Sequence, residues 1–385
     1  MKAVPVPVET EAAKIEFIDL VAQRRCIGDR MDAAIRRVME SGRFIMGPEV
    51  AEIERALGSF CGARHVVSCS SGTDALMLCL RAKGVGPGDA VLLPSFTFAA
   101  TAEVVCHAGA TPIFVDALAD TFNIDPESLR HGVATARRLG LKPSAVIVVD
   151  LFGQPADYDA LAPVVAENGL WVLDDAAQSF GAILRGRHVG SLATLTATSF
   201  YPSKPLGCYG DGGAVFTQDP DLAESLVSLR MHGKGRGKYD HARIGMNARL
   251  DTIQAAVLLE KLRIFPDELQ ARTRIARRYN ELLKDVVGVP NLIPGATSVW
   301  AQYAILTPMR DRMVAHLESL GIPTAIHYPT PLHRQSAYVR YPIAGNGLPV
   351  SERLAAEVLS LPMHPYLNEA TQDRIVEAVR DALQG

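Results

Sequence analysis

The sequence predicts an α/β protein: an N-terminal segment and large domain over residues 1–265, built on a mostly parallel central sheet covered by helices, then a smaller α+β domain over 266–385. Three observations carry that prediction. From Arg64 onward short apolar runs alternate with longer helical patterns, the rhythm of strands joined by helical crossovers. A long helical pattern from Arg249 to Val286 forms a natural bridge to a second unit, beyond which strands and helices mix. With 385 residues, 48% hydrophobic and 21% charged, the chain can bury more than one core.

The elements follow in order. "HVVSCS" reads as a strand and "GTDALMLCLRAKG" as the helix after it; "AVLLPSF" and "TFAATAEVVCHAG" repeat the pair, and "TPIFVD" adds a strand. "SAVIVVDLFG" leads into the helix "DYDALAPVVAENG", which leads into the strand "LWVLDDA". After a glycine-rich stretch, "GAVFT" is a strand and "PDLAESLVSLRMHG" a helix stopped by Gly233. A basic loop, "GKGRGKYDHARIG", carries Lys234, Arg236, Lys238, His241 and Arg243; such a loop suits a diphosphate, or is simply solvated. In the long helical pattern that comes next, Pro266 is expected to kink or break the helix.

Composition excludes several classes. A formal charge of −3 argues against a general nucleic-acid binder. The cysteines, Cys26, Cys61, Cys69, Cys79, Cys106 and Cys208, form no CxxC pair and no ligand spacing with histidine, so no metal site is expected and a reducing, cytoplasmic compartment fits. "MKAVPVPVETEAAK" lacks the unbroken apolar run of a signal peptide, and no span of about 20 apolar residues offers a membrane helix.

In open parallel sheets ligands gather beyond the carboxyl ends of the strands, so those ends are where chemistry is sought. The first ends in Ser70, Ser71, Gly72 and Thr73 just before a helix, an arrangement that is either an anion cup or an ordinary N-cap. The second ends in "PSFTFAAT", which sets Phe96 and Phe98 at the same rim. "VLDDAAQ" places Asp174 and Asp175 on opposite faces of one strand, so one of them points into the crevice and needs a cationic partner. In "TSFYPSKPLGCYGDGG", Lys204 sits among small, aromatic and apolar residues, the setting of a Schiff-base lysine with an easily removed proton. Lysine, aspartate, aromatic ring and anion cup are together explained by one cofactor, pyridoxal 5'-phosphate.

The motifs "SGRFIMGPEV", "SSGTDAL", "PSFTFAAT", "LFGQPADYD", "DDAAQSFGA", "SFYPSKPLGCYGDGGA", "RMHG", "IGMNARLDTIQAA" and "HYPTPLH", in this order, resemble the DegT/DnrJ/EryC1 family of sugar aminotransferases, from about Phe17 to the C-terminus. The resemblance implies a fold type I pyridoxal-phosphate transferase of the aspartate aminotransferase fold. It implies that Lys204 bonds the cofactor aldehyde, Asp175 pairs with the pyridinium nitrogen, Gln178 bonds the ring hydroxyl and Phe98 stacks on the ring. Gly72, Thr73 and Ser199 would hold the phosphate, and Asn247 would reach it from the other subunit of a homodimer with shared active sites. Arg230, His327 and Tyr328 would face the substrate.

The reaction so implied moves an amino group from an amino acid, glutamate by resemblance, to a nucleotide-linked keto-sugar. "LRMHGKGRGKYDHARIGMNARLDTIQAAVL" and "PTAIHYPTPLHRQSAY" are similar to the 3-aminating branch, which makes amino sugars for surface polysaccharides. A 4-keto sugar aminotransferase is the alternative within the fold, and a non-catalytic nucleotide-binding or regulatory protein the alternative outside it. A sugar dehydratase of the same fold would carry histidine in place of Lys204. Two departures stand out: many members have histidine at Asp150 and asparagine at Pro205.

Overall fold

The computed structural model describes residues 14–237 and 239–384, so the first thirteen residues and Lys238 of the basic loop lie outside the described residues. Three helices, α1 (Leu20–Ile27), α2 (Asp29–Ser41) and α3 (Pro48–Cys61), lead into strand β1 (His65–Cys69). There follow α4 (Gly72–Ala82), β2 (Asp89–Pro94), α5 (Ala100–His107), β3 (Thr111–Val115), α6 (Pro126–Arg138), β4 (Lys142–Val149), α7 (Tyr158–Asn168) and β5 (Trp171–Asp175). A small hairpin, β6 (Ile183–Leu184) and β7 (Arg187–His188), precedes β8 (Leu195–Ser199), β9 (Gly213–Thr217) and α8 (Pro220–Leu229). The chain ends in α9 (Thr252–Leu283), β10 (Tyr303–Leu306), α10 (Arg310–Ser319), α11 (Pro349–Glu357), β11 (Val358–Leu361) and α12 (Glu369–Gln384).

The predicted mostly parallel sheet is present, in the order β1-β9-β8-β5-β4-β2-β3. Every neighbouring pair from β8 through β5, β4 and β2 to β3 is parallel, while β9 runs antiparallel to both its neighbours. Strands β2 and β8 are almost wholly buried, as is β4 from Ala145 onward, and they are rich in Val, Ile, Leu or Thr, as strands covered on both faces must be. The largest apolar cluster packs this sheet against its crossover helices. A second joins the C-terminal half of α9 to β10, β11, α10 and α12, with Ile15 beneath it. A third packs α2 and α3 on the N-terminal half of α9.

Two local expectations are corrected. Helix α9 runs unbroken through Pro266, because Phe265 and Glu268 beside it are buried and the flanking turns pack into different clusters. That packing outweighs the amide the ring removes. Helix α8 stops at Leu229, not Gly233: the amides of His232 and Met246 bond across to Met246 O and Leu229 O, so a strand-like pairing with "GMN" replaces the last turn.

Candidate functional site

A cavity of about 540 Å³ opens beyond the carboxyl ends of β1, β2, β4, β5 and β8. Gly72 and Thr73 line it from the start of α4, Phe98 from the end of β2, and Asp175 and Gln178 from the end of β5. Ser199 and Lys204 enter from the end of β8, and His327 and Tyr328 from the segment between α10 and α11. Phe96, the other ring of "PSFTF", is fully buried and packs on Phe122 and Phe152, so only Phe98 is at the rim.

One end of the cavity is built by backbone. Ser71 Oγ accepts the amide of Asp74 at 3.0 Å, capping α4 and leaving the amides of its first residues at the cavity, at the positive end of the helix. A Cβ on Gly72 would lie 2.6 Å from Ser199 Cβ, and one on Gly213 would lie 2.4 Å from Ser71 O. Glycine is therefore what allows the β1–α4 turn and the end of β8 to meet over one small space.

Asp175 and Lys204 oppose each other electrostatically. Burial pushes the Asp175 carboxyl up from its ordinary range, while Thr101 Oγ1 donating to Oδ2 at 2.8 Å, the Ala177 amide donating to Oδ1 at 3.3 Å and the nearby Lys204 pull it back. Burial pulls the Lys204 amine down, and Asp175 offsets part of that. Gln178 is held at both ends: its Oε1 accepts the amide of Phe152 at 2.7 Å, and its Nε2 donates to Tyr328 Oη at 3.3 Å. Burial pushes the Tyr328 phenol up, and burial with Lys204 pulls the His327 imidazole down, so both are neutral at the cavity wall.

The strand alternation places Asp174 on the far face. There Thr196, its register partner on β8, donates to Oδ2 at 3.1 Å. Asp150 lies close by, its Oδ1 accepting the Ala156 amide at 2.8 Å and Tyr158 Oη at 3.3 Å, its Oδ2 accepting Ser179 Oγ at 3.1 Å. Burial first pushes both carboxyls up, Asp150 to about 7 with the charge of Asp175 adding to it, and Asp174 well above its ordinary value with the charge of Asp150 adding to it.

Arg230, expected to face a substrate, does not line this cavity and lies in a separate pocket with Lys234, Arg236 and Arg243 of the basic loop. Its guanidinium is buried, pairs with Glu54 Oε1 at 2.5 Å and donates to Ser68 O at 2.8 Å, so it braces β1 against α3 outside the cavity. Asn247 is exposed, bridged to Met231, and does not line its own chain's cavity. Sequence reasoning missed Thr101, Asp211 and Gln302. Thr101 lies in the quoted "FAAT", but only the tertiary fold shows its hydroxyl on Asp175.

The donor set fits pyridoxal phosphate: a glycine-walled amide cup for a phosphate, a buried carboxylate for a protonated ring nitrogen, and a desolvated amine for an aldehyde. Among the described residues no cluster of three or more His, Cys, Asp or Glu could hold a metal ion. No helix among them is long and apolar enough to cross a membrane.

Comparison with known proteins adds an independent finding. Residues 25–380 match the family described as DegT/DnrJ/EryC1/StrS aminotransferase. The chain is 46% identical over 358 residues to a UDP-2-acetamido-2-deoxy-3-oxo-D-glucuronate aminotransferase of Pseudomonas aeruginosa, covering 93% of this chain and 97% of that protein. A solved DegT DnrJ EryC1 StrS aminotransferase from Brucella abortus superposes with a TM-score of 0.95 at 54% identity, covering 96% of this chain and all of that one. NtdA from Bacillus subtilis, solved with bound cofactor PMP, superposes with a TM-score of 0.87 at 28% identity, covering 98% of this chain and 87% of its own.

Proposed function

This chain belongs to the DegT/DnrJ/EryC1/StrS aminotransferase family, and on that premise we propose that it transfers the amino group of glutamate to C3 of a nucleotide-linked keto-sugar. The observation that carries the reading is the convergence of Lys204, Asp175 and the Gly72–Ser199 cup on one cavity at the strand ends. The name of the Pseudomonas aeruginosa relative, a 3-oxo sugar aminotransferase, supports the position.

When bound, pyridoxal phosphate supplies an aldehyde to carry the amino group and a ring that draws electrons from the carbon losing its proton. The amides of Gly72 and Thr73 and the hydroxyl of Ser199 would hold its phosphate, Phe98 would cover the ring, and Gln178 would bond the ring hydroxyl. Asp175 would hold the proton on the ring nitrogen, a task its two donors serve by keeping the buried carboxylate ionised. Lys204 Nζ would bond the cofactor aldehyde, and as a free amine it would carry the proton leaving the α-carbon of glutamate. Its lowered proton affinity suits both tasks. The sum is glutamate and keto-sugar converted to 2-oxoglutarate and amino-sugar. His327 and Tyr328, neutral and opposite Lys204, form the wall against which the sugar is oriented.

Asn247 is exposed, as are Ile244 three residues before it and Phe44 and Ile45, which are tied to the start of α9 by a Phe44 carbonyl bond and an Ile45–Asp251 bridge. These bare apolar side chains support a homodimer in which Asn247 completes the phosphate site of the partner subunit. The product would serve amino-sugar synthesis for a polysaccharide in the cytoplasm.

A panel of 3-keto and 4-keto sugar nucleotides, offered with glutamate and read by mass spectrometry, tests this. An amine at C3 with 2-oxoglutarate in equal amount is the expected result; amination only at C4, or none, refutes the reading.

A further inference from the structure

The motif "HYPTPLH" ends on His333, a side chain the chemistry above leaves unused. It is buried, and its partner Ser95 is more so. Ser95 follows the last residue of β2 and leads directly into Phe96, Thr97 and Phe98, the last two of which line the cavity. Three bonds join it to the motif: Leu332 N donates to Ser95 O at 2.9 Å, His333 N donates to Ser95 Oγ at 3.2 Å, and Ser95 Oγ lies 2.7 Å from His333 Nδ1. Glu352 Oε1 beside Nε2 can only accept, so Nε2 carries the ring proton, and in that tautomer Nδ1 accepts the Ser95 hydroxyl. The Nε2 proton meets Glu352 Oε1 at 3.1 Å. Glu352, on α11, also accepts Arg334 Nε at 2.8 Å.

One continuous chain of hydrogen bonds therefore runs from the cofactor sheet through the motif to α11. Serine, histidine and glutamate in series bring a hydrolytic triad to mind, but Ser95 has no exposed surface and its oxygen is occupied on both sides, so it meets no substrate. What the chain of bonds does control is the reach of the motif. Between Tyr328 and Leu332 stand only Pro329, Thr330 and Pro331, and the two rings stiffen that link. Tyr328 in turn packs on Phe96 and Phe98 with ring centroids 6.4 and 6.1 Å away.

We propose that Ser95 and His333, backed by Glu352, are positioning residues that hold His327 and Tyr328 over the cavity for the sugar acceptor. The proposal rests on the reading of those two residues as the sugar-facing wall. It assigns the strap to the second half of the reaction, in which the sugar is aminated, and not to cofactor retention or the first half with glutamate.

The holoenzyme and its Ser95→Ala, His333→Gln, Glu352→Ala and Glu352→Gln variants test this. Hydrogen exchange at the amides of 324–335 should quicken about tenfold in the first three, as expected when one buried hydrogen bond is lost. KM for the keto-sugar nucleotide should rise about tenfold in the same three, while bound cofactor and the single-turnover rate with glutamate stay within about twofold. Glu352→Gln keeps an acceptor for Nε2 and should restore both readouts. Should Ser95→Ala fail to fold, the Glu352 pair, at the partly exposed end of the strap, decides alone. Unchanged exchange and KM in a folded Glu352→Ala variant overturn the proposal, as does an equal loss in the glutamate half. Exchange reports on the strap whatever the acceptor is. Quickened exchange with no turnover of any keto-sugar by the unsubstituted enzyme therefore keeps the strap and refutes the assigned function.

Discussion

Lys204 and Asp175 are shifted in opposite directions by one cause, removal from water, and each partly relieves the other. Lys204→Ala should still fold, since the residue is only half-buried, but should lose turnover by about 10³-fold or more, because on the proposed reading anchor and proton carrier would vanish together. Steady-state rates and a thermal melt check both halves of that statement. Asp175→Asn should keep cofactor and lose about a hundredfold in rate, roughly what two pKa units of lost pyridinium stabilisation cost. Asp174 is the control. Burial pushes its carboxyl well up from the ordinary range, and asparagine keeps an oxygen to accept from Thr196 away from the cavity, so Asp174→Asn should leave the rate nearly untouched. A damaging Asp174→Asn beside a harmless Asp175→Asn would mean that the faces of β5 are exchanged.

Strand β5 separates two carboxylates one residue apart into different chemistries, and the far face has its own consequence. Asp150, at the end of β4, faces Asp174, Tyr158, Ser179 and, across the strand, Asp175; burial raises its proton affinity to about 7. The folded protein therefore binds a proton at Asp150 between the ordinary carboxyl range and pH 7, where the unfolded chain has already released it. Stability falls as pH rises through that window and levels off above it, with a slope of at most about 1.4 kcal/mol per pH unit from this group. Asp150→Asn removes the titration while its amide oxygen still accepts from Ala156. The difference in melting temperature, variant minus parent, should therefore be more positive at pH 8 than at pH 5. Equal differences at the two values would show that Asp150 is not held protonated.

At the scale of the whole molecule the site's reach beyond one chain is the testable matter. If Asn247 serves the partner subunit's site, Lys204→Ala and Asn247→Ala should complement in mixed dimers. Half the dimers are mixed on random reassortment and each holds one intact site, so about a quarter of all sites should regain activity. Co-refolding the two variants and measuring the rate before and after decides it. No gain, with mixed dimers demonstrated, means that each chain completes its own site.

The strand ends and the order of motifs on them were legible in the chain, because a period of two and a crossover helix leave local marks that need no partner to be read. So Ser71–Thr73, Phe96 and Phe98, one of Asp174 and Asp175, and Lys204 are assigned to one rim by sequence, and of the two rings only Phe98 lies there. What lay out of reach were pairings between distant segments. The Arg230 guanidinium is paired with Glu54, 176 residues away, a partner that no local pattern reveals. Thr101 and Asp175 are 74 residues apart, and Ser95 and His333 are 238 apart. Pro266 was expected to interrupt a helix that packing on both sides carries through. By itself the sequence determined the sheet, its mostly parallel sense and the residue types at its carboxyl edge, since these follow from periodicity and local turn chemistry. Tertiary structure alone decided which polar groups are satisfied internally and which face the cavity, because burial and hydrogen bonding are properties of segments brought together by the fold.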